Sequence, residues 1–307
     1  MKSILFVKAH SRLGLYNVPH RAVERNIGVE DGPNAVLSQD FLEDYPNHKL
    51  ISYTFPTPEA ITKELYPHAI AEHSDKLAKL ISQNLGSSDM LVTVGGDHSV
   101  SFSSLLTVTQ KFKDVGVIQL DSHADINTFA SSPSGNFHGM WMRPFLGRFD
   151  NEEIDALVPN KLSPQHLLYI GNLDLDPEEQ RFIKKNNIKI ISRKILVEKP
   201  HRARDFLLGF LSTHDHIHVS FDIDVFDMSI APATGTPRSG LFPKNVFPLA
   251  TLIASHPGLS IDLVEVNPKK EGAPPNHHPR PASPSNPPLR ASIITSKSLH
   301  GVVSFPY

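Results

Sequence analysis

Apolar and polar positions follow one repeated pattern along the chain: a short apolar run, a loop rich in Gly, Asp or His, then a helix-like stretch. The strand-like runs are Ile4–Val7, Met90–Val94, Val115–Leu120, His166–Ile170, Ile188–Ile191, Ile217–Phe221 and Ser260–Val266. Helical spacing covers Pro58–Asn84, Val100–Phe112, Pro177–Lys185, Ala203–Leu211 and Lys244–Ala254. Strands that are apolar throughout, rather than at every second position, are buried on both faces, and helices between them make parallel connections. The pattern therefore predicts an α/β fold with a mostly parallel sheet covered on both sides. No Gly/Ser linker divides residues 1–270, so one domain is expected there.

Residues 271–307 break the pattern. Seven of the 26 prolines fall between Pro274 and Pro288, and no Asp or Glu follows Glu271. Such a segment forms neither a helix nor a central strand, and an extended or disordered tail is expected.

Composition narrows the function. The 307 residues are 39% hydrophobic and 20% charged, the balance of a folded, soluble protein. The net charge of −2 argues against a nucleic-acid binder held by phosphate contacts. No apolar run approaches the ~20 residues that span a bilayer, so no membrane partner is expected. Ile4–Val7 is too short for a signal-peptide core, so a cytoplasmic protein is expected. The absence of cysteine excludes disulfides, thiolate metal sites and a cysteine nucleophile.

Three clusters carry candidate chemistry, each after a predicted strand. VGGDHSV places Asp97 and His98 after the second run, QLDSHADIN places Asp121, His123, Asp125 and Asn127 at alternate positions, and VSFDIDVFD places Asp222 and Asp224 two apart. Singly, GGDH reads as a turn with a helix cap and DxD as a solvated loop. Together they fall on one rim, because ligands of open α/β sheets bind outside the carboxyl ends of the strands. Four carboxylates and two imidazoles packed close would repel or take up protons without cations. Oxygen-dominated ligation with imidazole and no sulfur suits Mn²⁺. Two such ions ~3.5–4 Å apart activate water for hydrolysis. His216 and His218 read as strand side chains on one face, His277 and His278 as a tract without fixed geometry, and Trp141 as core.

These motifs resemble the arginase/agmatinase, or ureohydrolase, family. GVEDGP at Gly28–Pro33, SGNFHG at Ser134–Gly139, APATGTP at Ala231–Pro237 and VEVNP at Val264–Pro268 extend the resemblance, in order, from about Asn26 to Pro268. The resemblance implies a three-layer α/β/α sandwich around a mostly parallel sheet, two Mn²⁺ per subunit, and assembly as a trimer or hexamer. It implies that His98 and Asp125 ligate one ion, His123 and Asp224 the other, and that Asp121 and Asp222 bridge them. A metal-bridging hydroxide would then attack a guanidinium. Asp125 would relay its proton, His138 would shuttle protons and Glu265 would face the substrate.

For an arginase, the resemblance assigns Asn127, Ser134 and Asn136 to the α-carboxylate of L-arginine and Asp176 to its α-amino group. Thr236 is expected on the pocket wall. Hydrolysis to L-ornithine and urea is the leading expectation. Agmatinase, another guanidine hydrolase, or a metal-binding homologue inactivated by its altered C-terminus are the alternatives. Two departures stand out: the proline-rich stretch occupies the place of a long covering helix, and GNLDLD carries Asn172 and Leu173 where arginases commonly hold an arginine.

Overall fold

A computed structural model describes residues 3–16 and 26–270. The expected tail over 271–307, with His277 and His278, lies outside the described residues. Among the described residues eight strands form one sheet: β1 Ile4–His10, β2 His48–Thr54, β3 Met90–Gly95, β4 Val115–Leu120, β5 Leu167–Gly171, β6 Lys189–Ser192, β7 His216–Asp222 and β8 Leu259–Val264. Every adjacent pair is parallel, in the order β2-β1-β3-β8-β7-β4-β5-β6. The helices are α1 Gly32–Val36, α2 Gln39–Glu43, α3 Tyr66–Asn84, α4 Val100–Lys111, α5 Glu152–Leu157, α6 Pro177–Asn186, α7 Arg193–Glu198, α8 Pro200–Leu211 and α9 Pro243–Ala254.

Strand alternation divides the core into two layers. Leu5 and Val7 of β1, Leu91 of β3 and Val115 and Val117 of β4 pack with Leu77 and Ile81 of α3 and Leu105 of α4. The intervening positions, Phe6, Val92, Val94, Ile118 and Leu120, pack on the other face with Leu207 of α8 and Val246 and Leu249 of α9. Helices thus cover both faces, giving the three-layer α/β/α sandwich.

The elements depart from the sequence reading where local signals are weak. β2 is absent from the apolar runs because it is an edge strand with exposed Lys49, Leu50 and Ser52. The helix expected from Pro58 is a 3₁₀ turn, Pro58–Ala60, and α3 begins only at Tyr66, with Pro67 in its first turn. β8 ends at Val264, two residues early, and Glu265 follows in the left-handed region at φ +64°.

His216, His218 and Ser220 of β7 do share a face, and that face is buried. Ser260 Oγ lies 3.0 Å from His216 Nε2 and 2.9 Å from His218 Nδ1, and Asp262 Oδ2 lies 3.0 Å from His218 Nε2. Facing β8 side chains thereby supply the partners that buried polar groups need.

Candidate functional site

Strand order builds the site. β3, β8, β7 and β4 are neighbours, so the residues after their carboxyl ends converge: His98 after β3, Glu265 after β8, Asp222 and Asp224 at the end of β7, and Asp121, His123 and Asp125 after β4. Two close approaches demand glycine. A Cβ on Gly96 would stand 1.9 Å from the Ser11 carbonyl oxygen, and one on Gly171 would stand 1.8 Å from that of Asp121.

His98 is the hub. Its Nδ1 lies 2.8 Å from Asp125 Oδ2, 3.2 Å from Asp121 Oδ2 and 3.3 Å from Asp222 Oδ2. Its Nε2 lies 2.7 Å from Ser220 Oγ. His123 Nδ1 lies 3.0 Å from Asp224 Oδ2 and 3.5 Å from Asp121 Oδ1. Two candidate ligand groups result, His98–Asp121–Asp222 and Asp121–His123–Asp224, with Asp121 in both. The DxHxD and DxD spacings close through the backbone. His123 N–H donates to Asp121 Oδ1 at 2.7 Å, and Asp224 N–H to Asp222 Oδ1 at 2.8 Å.

The electrostatics ask for positive charge at the centre. Burial, then the charges of Asp224 and Asp121, push the Asp222 carboxyl well above its ordinary range. Asp224 rises through burial and Asp121. Burial alone would lower the His98 imidazole, yet Asp125, Asp121 and Asp222 drive it well above its usual value. His123 moves upward against burial in the same way, facing Asp224 and Asp121. Imidazolium protons or divalent cations both answer this demand, and an oxygen-rich donor set with two imidazoles fits cations such as Mn²⁺.

A cavity of about 470 Å³ opens onto the cluster. Its lining includes His98, His123, Asp125 and Asp222 at the cluster, and Asn127, Ser134, Asn136 and Asp176 away from it. His138, Thr236 and Glu265 line it as well. Asn127 Nδ2 donates to Asp176 Oδ2 at 2.8 Å, and Ser134 Oγ accepts from Asn136 N–H at 3.2 Å. Thr236 Oγ1 donates to Asp224 Oδ2 at 2.8 Å. Glu265 Oε1 accepts from His98 N–H at 3.0 Å, and Oε2 from Asn26 Nδ2 at 2.8 Å. His138 Nδ1 lies 3.6 Å from Glu265 Oε1, and its side chain is 27% exposed. Burial lowers the His138 imidazole, but Glu265 outweighs that and raises it. All the candidate site residues except Asp121 and Asp224 line the cavity; those two lie behind it against the histidines.

Several participants were not among the predicted site residues. Gln119 Nε2 donates to Asp121 Oδ2 at 2.8 Å and to Asp125 Oδ2 at 3.3 Å. Trp141 is core, as its apolar surroundings indicated, but it also donates to Asp125. Arg238 pairs with Asp174 at the cavity mouth. It brings a guanidinium to the loop that carries Asn172 and Leu173. Nothing but an isolated basic residue in a turn marked it in the sequence.

A family model described as the arginase family matches residues 11–274. A non-hepatic arginase of Xenopus laevis is 33% identical over 282 residues, covering 85% of this chain and 78% of that protein. An arginase of Staphylococcus aureus is 30% identical over 274 residues, covering 83% and 90%. Among solved structures, the Entamoeba histolytica arginase in complex with L-ornithine superposes with a TM-score of 0.79 at 23% identity, over 99% of this chain and 97% of that one. The agmatine ureohydrolase of Thermoplasma volcanium shares the fold at a TM-score of 0.65 and 14% identity, over 99% and 89%.

Proposed function

The chain belongs to the arginase family of hydrolases, and we propose that it hydrolyses L-arginine to L-ornithine and urea with two Mn²⁺ per subunit. The observation that carries this reading is the polarity of the cavity. Asn127, Ser134, Asn136 and Asp176 line it together with His98, His123, Asp125 and Asp222. Amide and hydroxyl donors beside a carboxylate match the α-carboxylate and α-amino groups that distinguish arginine from agmatine.

His98 and Asp125 would hold one ion, His123 and Asp224 the other, and Asp121 and Asp222 both. When bound, the ions supply a water that is nucleophilic near neutral pH. Glu265, fixed by His98 N–H and Asn26, sets a negative charge against the guanidinium. Asp125 Oδ2 is engaged by His98, Trp141 and Gln119, so Oδ1 would be the oxygen that accepts a proton and passes it to the departing amine. His138 is part-exposed and beside Glu265, a position from which it exchanges protons with solvent. Asn127 and Asp176 exchange their mutual hydrogen bond for the amino-acid end of the substrate. Thr236 holds Asp224 from the cavity side.

Among the described residues no helix is long and apolar enough to cross a membrane. A cytoplasmic homo-oligomer, trimer or hexamer, is part of the same proposal, and sedimentation of the purified protein tests the assembly.

The deciding experiment measures urea from Mn²⁺-loaded protein given L-arginine or agmatine, with a chelated control. Metal-dependent turnover of arginine is the expected result. Turnover of agmatine alone would overturn the roles of Asn127 and Ser134 while keeping the metal centre. No urea from either, in protein that binds manganese, would indicate another guanidine substrate or a homologue without turnover.

A further inference from the structure

Asp114, His166 and His214 meet at the rim opposite the cavity. Asp114 directly precedes β4, His166 directly precedes β5 and His214 lies two residues before β7. β7, β4 and β5 are consecutive in the sheet, so parallel pairing sets their amino-terminal ends side by side. Asp114 and Asp121 bracket β4, which separates this cluster from the active site by about 20 Å.

His214 Nδ1 lies 3.1 Å from Asp114 Oδ1 and His166 Nδ1 lies 3.9 Å from the same oxygen. The two imidazole rings are 4.6 Å apart. One ligand atom from each of the three residues falls within 4.8 Å of the others. His166 Nδ1 is also 3.1 Å from the Val115 carbonyl oxygen. A carbonyl only accepts, so a ring that donates there from Nδ1 would hold an ion through Nε2. Room for the second ring is built in. A Cβ on Gly116 would come within 2.4 Å of the His214 imidazole. The His214 side chain is 6% exposed, while His166 at 32% and Asp114 at 42% leave one side open to solvent.

We propose that Asp114, His166 and His214 form a second metal site, for a zinc-class divalent ion, that clamps the amino-terminal ends of β7, β4 and β5. Two imidazoles with one carboxylate and an open position are a zinc-type donor set. Its higher nitrogen content distinguishes it from the oxygen-rich centre at the other rim, which suits manganese.

Mn²⁺-loaded protein would be titrated with Zn²⁺, bound zinc counted, and crystals measured at the zinc absorption edge. The expected result is anomalous density between the three side chains. His166→Gln and His214→Gln should each remove one zinc equivalent or weaken it at least ten-fold, with manganese binding unchanged. His166 is part-exposed, so its variant reports even if His214→Gln folds poorly. Absence of density at this rim in excess zinc, or unchanged zinc stoichiometry together with unchanged zinc affinity in His166→Gln, would overturn the proposal and leave a hydrogen-bonded His–Asp–His cluster.

Discussion

Trp141 Nε1 donates to Asp125 Oδ2 at 3.1 Å from a fully buried indole. The same ring lies against His98, with centroids 5.0 Å apart. One aromatic side chain therefore positions two members of the cluster. Trp141→Phe keeps the packing and deletes the donor. Hydrogen bonds to charged groups contribute ~1.5–3 kcal/mol, and losing a supporting partner of a metal ligand costs ~10–100-fold in metal affinity or activity. A fall of that size in Mn²⁺ affinity or urea release is expected. Equal affinity and rate in the variant would show that the Trp141 donor is dispensable.

Glu179 carries a testable pH signature. It is 4% exposed, and burial first, then the charge of Asp125, raise its carboxyl from 4.5 to about 7. Between pH 4.5 and 7 the folded state keeps a proton that the unfolded state has released, so stability falls as pH rises through that window. The loss attributable to this group is at most ~3 kcal/mol. In metal-free protein, Glu179→Gln should flatten the decline of melting temperature across the window. Parallel curves for variant and parent would remove Glu179 as its source.

Arg238 and Asp174 bridge two loops across the cavity mouth, and both are substantially exposed. Exposed pairs contribute only ~0–1 kcal/mol to stability. Arg238→Ala should leave the melting temperature nearly unchanged. It should raise KM for L-arginine several-fold with kcat retained, because the loop bearing Asp176 loses its tether. Steady-state kinetics decide this, and an unchanged KM would leave Arg238 without a part in binding.

Gly171 and Gly209 separate site geometry from glycine entropy. A Cβ at Gly171 meets the Asp121 carbonyl oxygen, whereas one at Gly209 meets nothing within 4 Å. Gly171→Ala should cost ~1–3 kcal/mol and weaken manganese binding by displacing Asp121. Gly209→Ala, inside α8, should stabilise by ~0.4–1 kcal/mol. Thermal unfolding with metal titration of both variants provides the check. Full manganese affinity in Gly171→Ala would show that the Asp121 backbone yields freely.

The sequence by itself determined which residues lie beyond the strand ends and which chemistry they bring. DxHxD, DxD and GGDH sit directly after apolar runs, and both the period of those runs and the ligand types are local properties. The buried, apolar strands β3, β4, β5, β7 and β8 were legible for the same reason, while the edge strand β2, half polar, was not. Tertiary structure alone decided that β8 and β7 insert between β3 and β4, because strand adjacency is set by long-range pairing that leaves no local mark. That insertion brings Asp222, Asp224 and Glu265 against His98 and Asp121. Asn26, Ser220 and Trp141 join through buried hydrogen bonds to residues far along the chain rather than through spacing, whereas Gln119 reaches Asp121 from two residues away on β4. The left-handed backbone of Glu265 is of the same kind, since its conformation is held by contacts to His98 and Asn26.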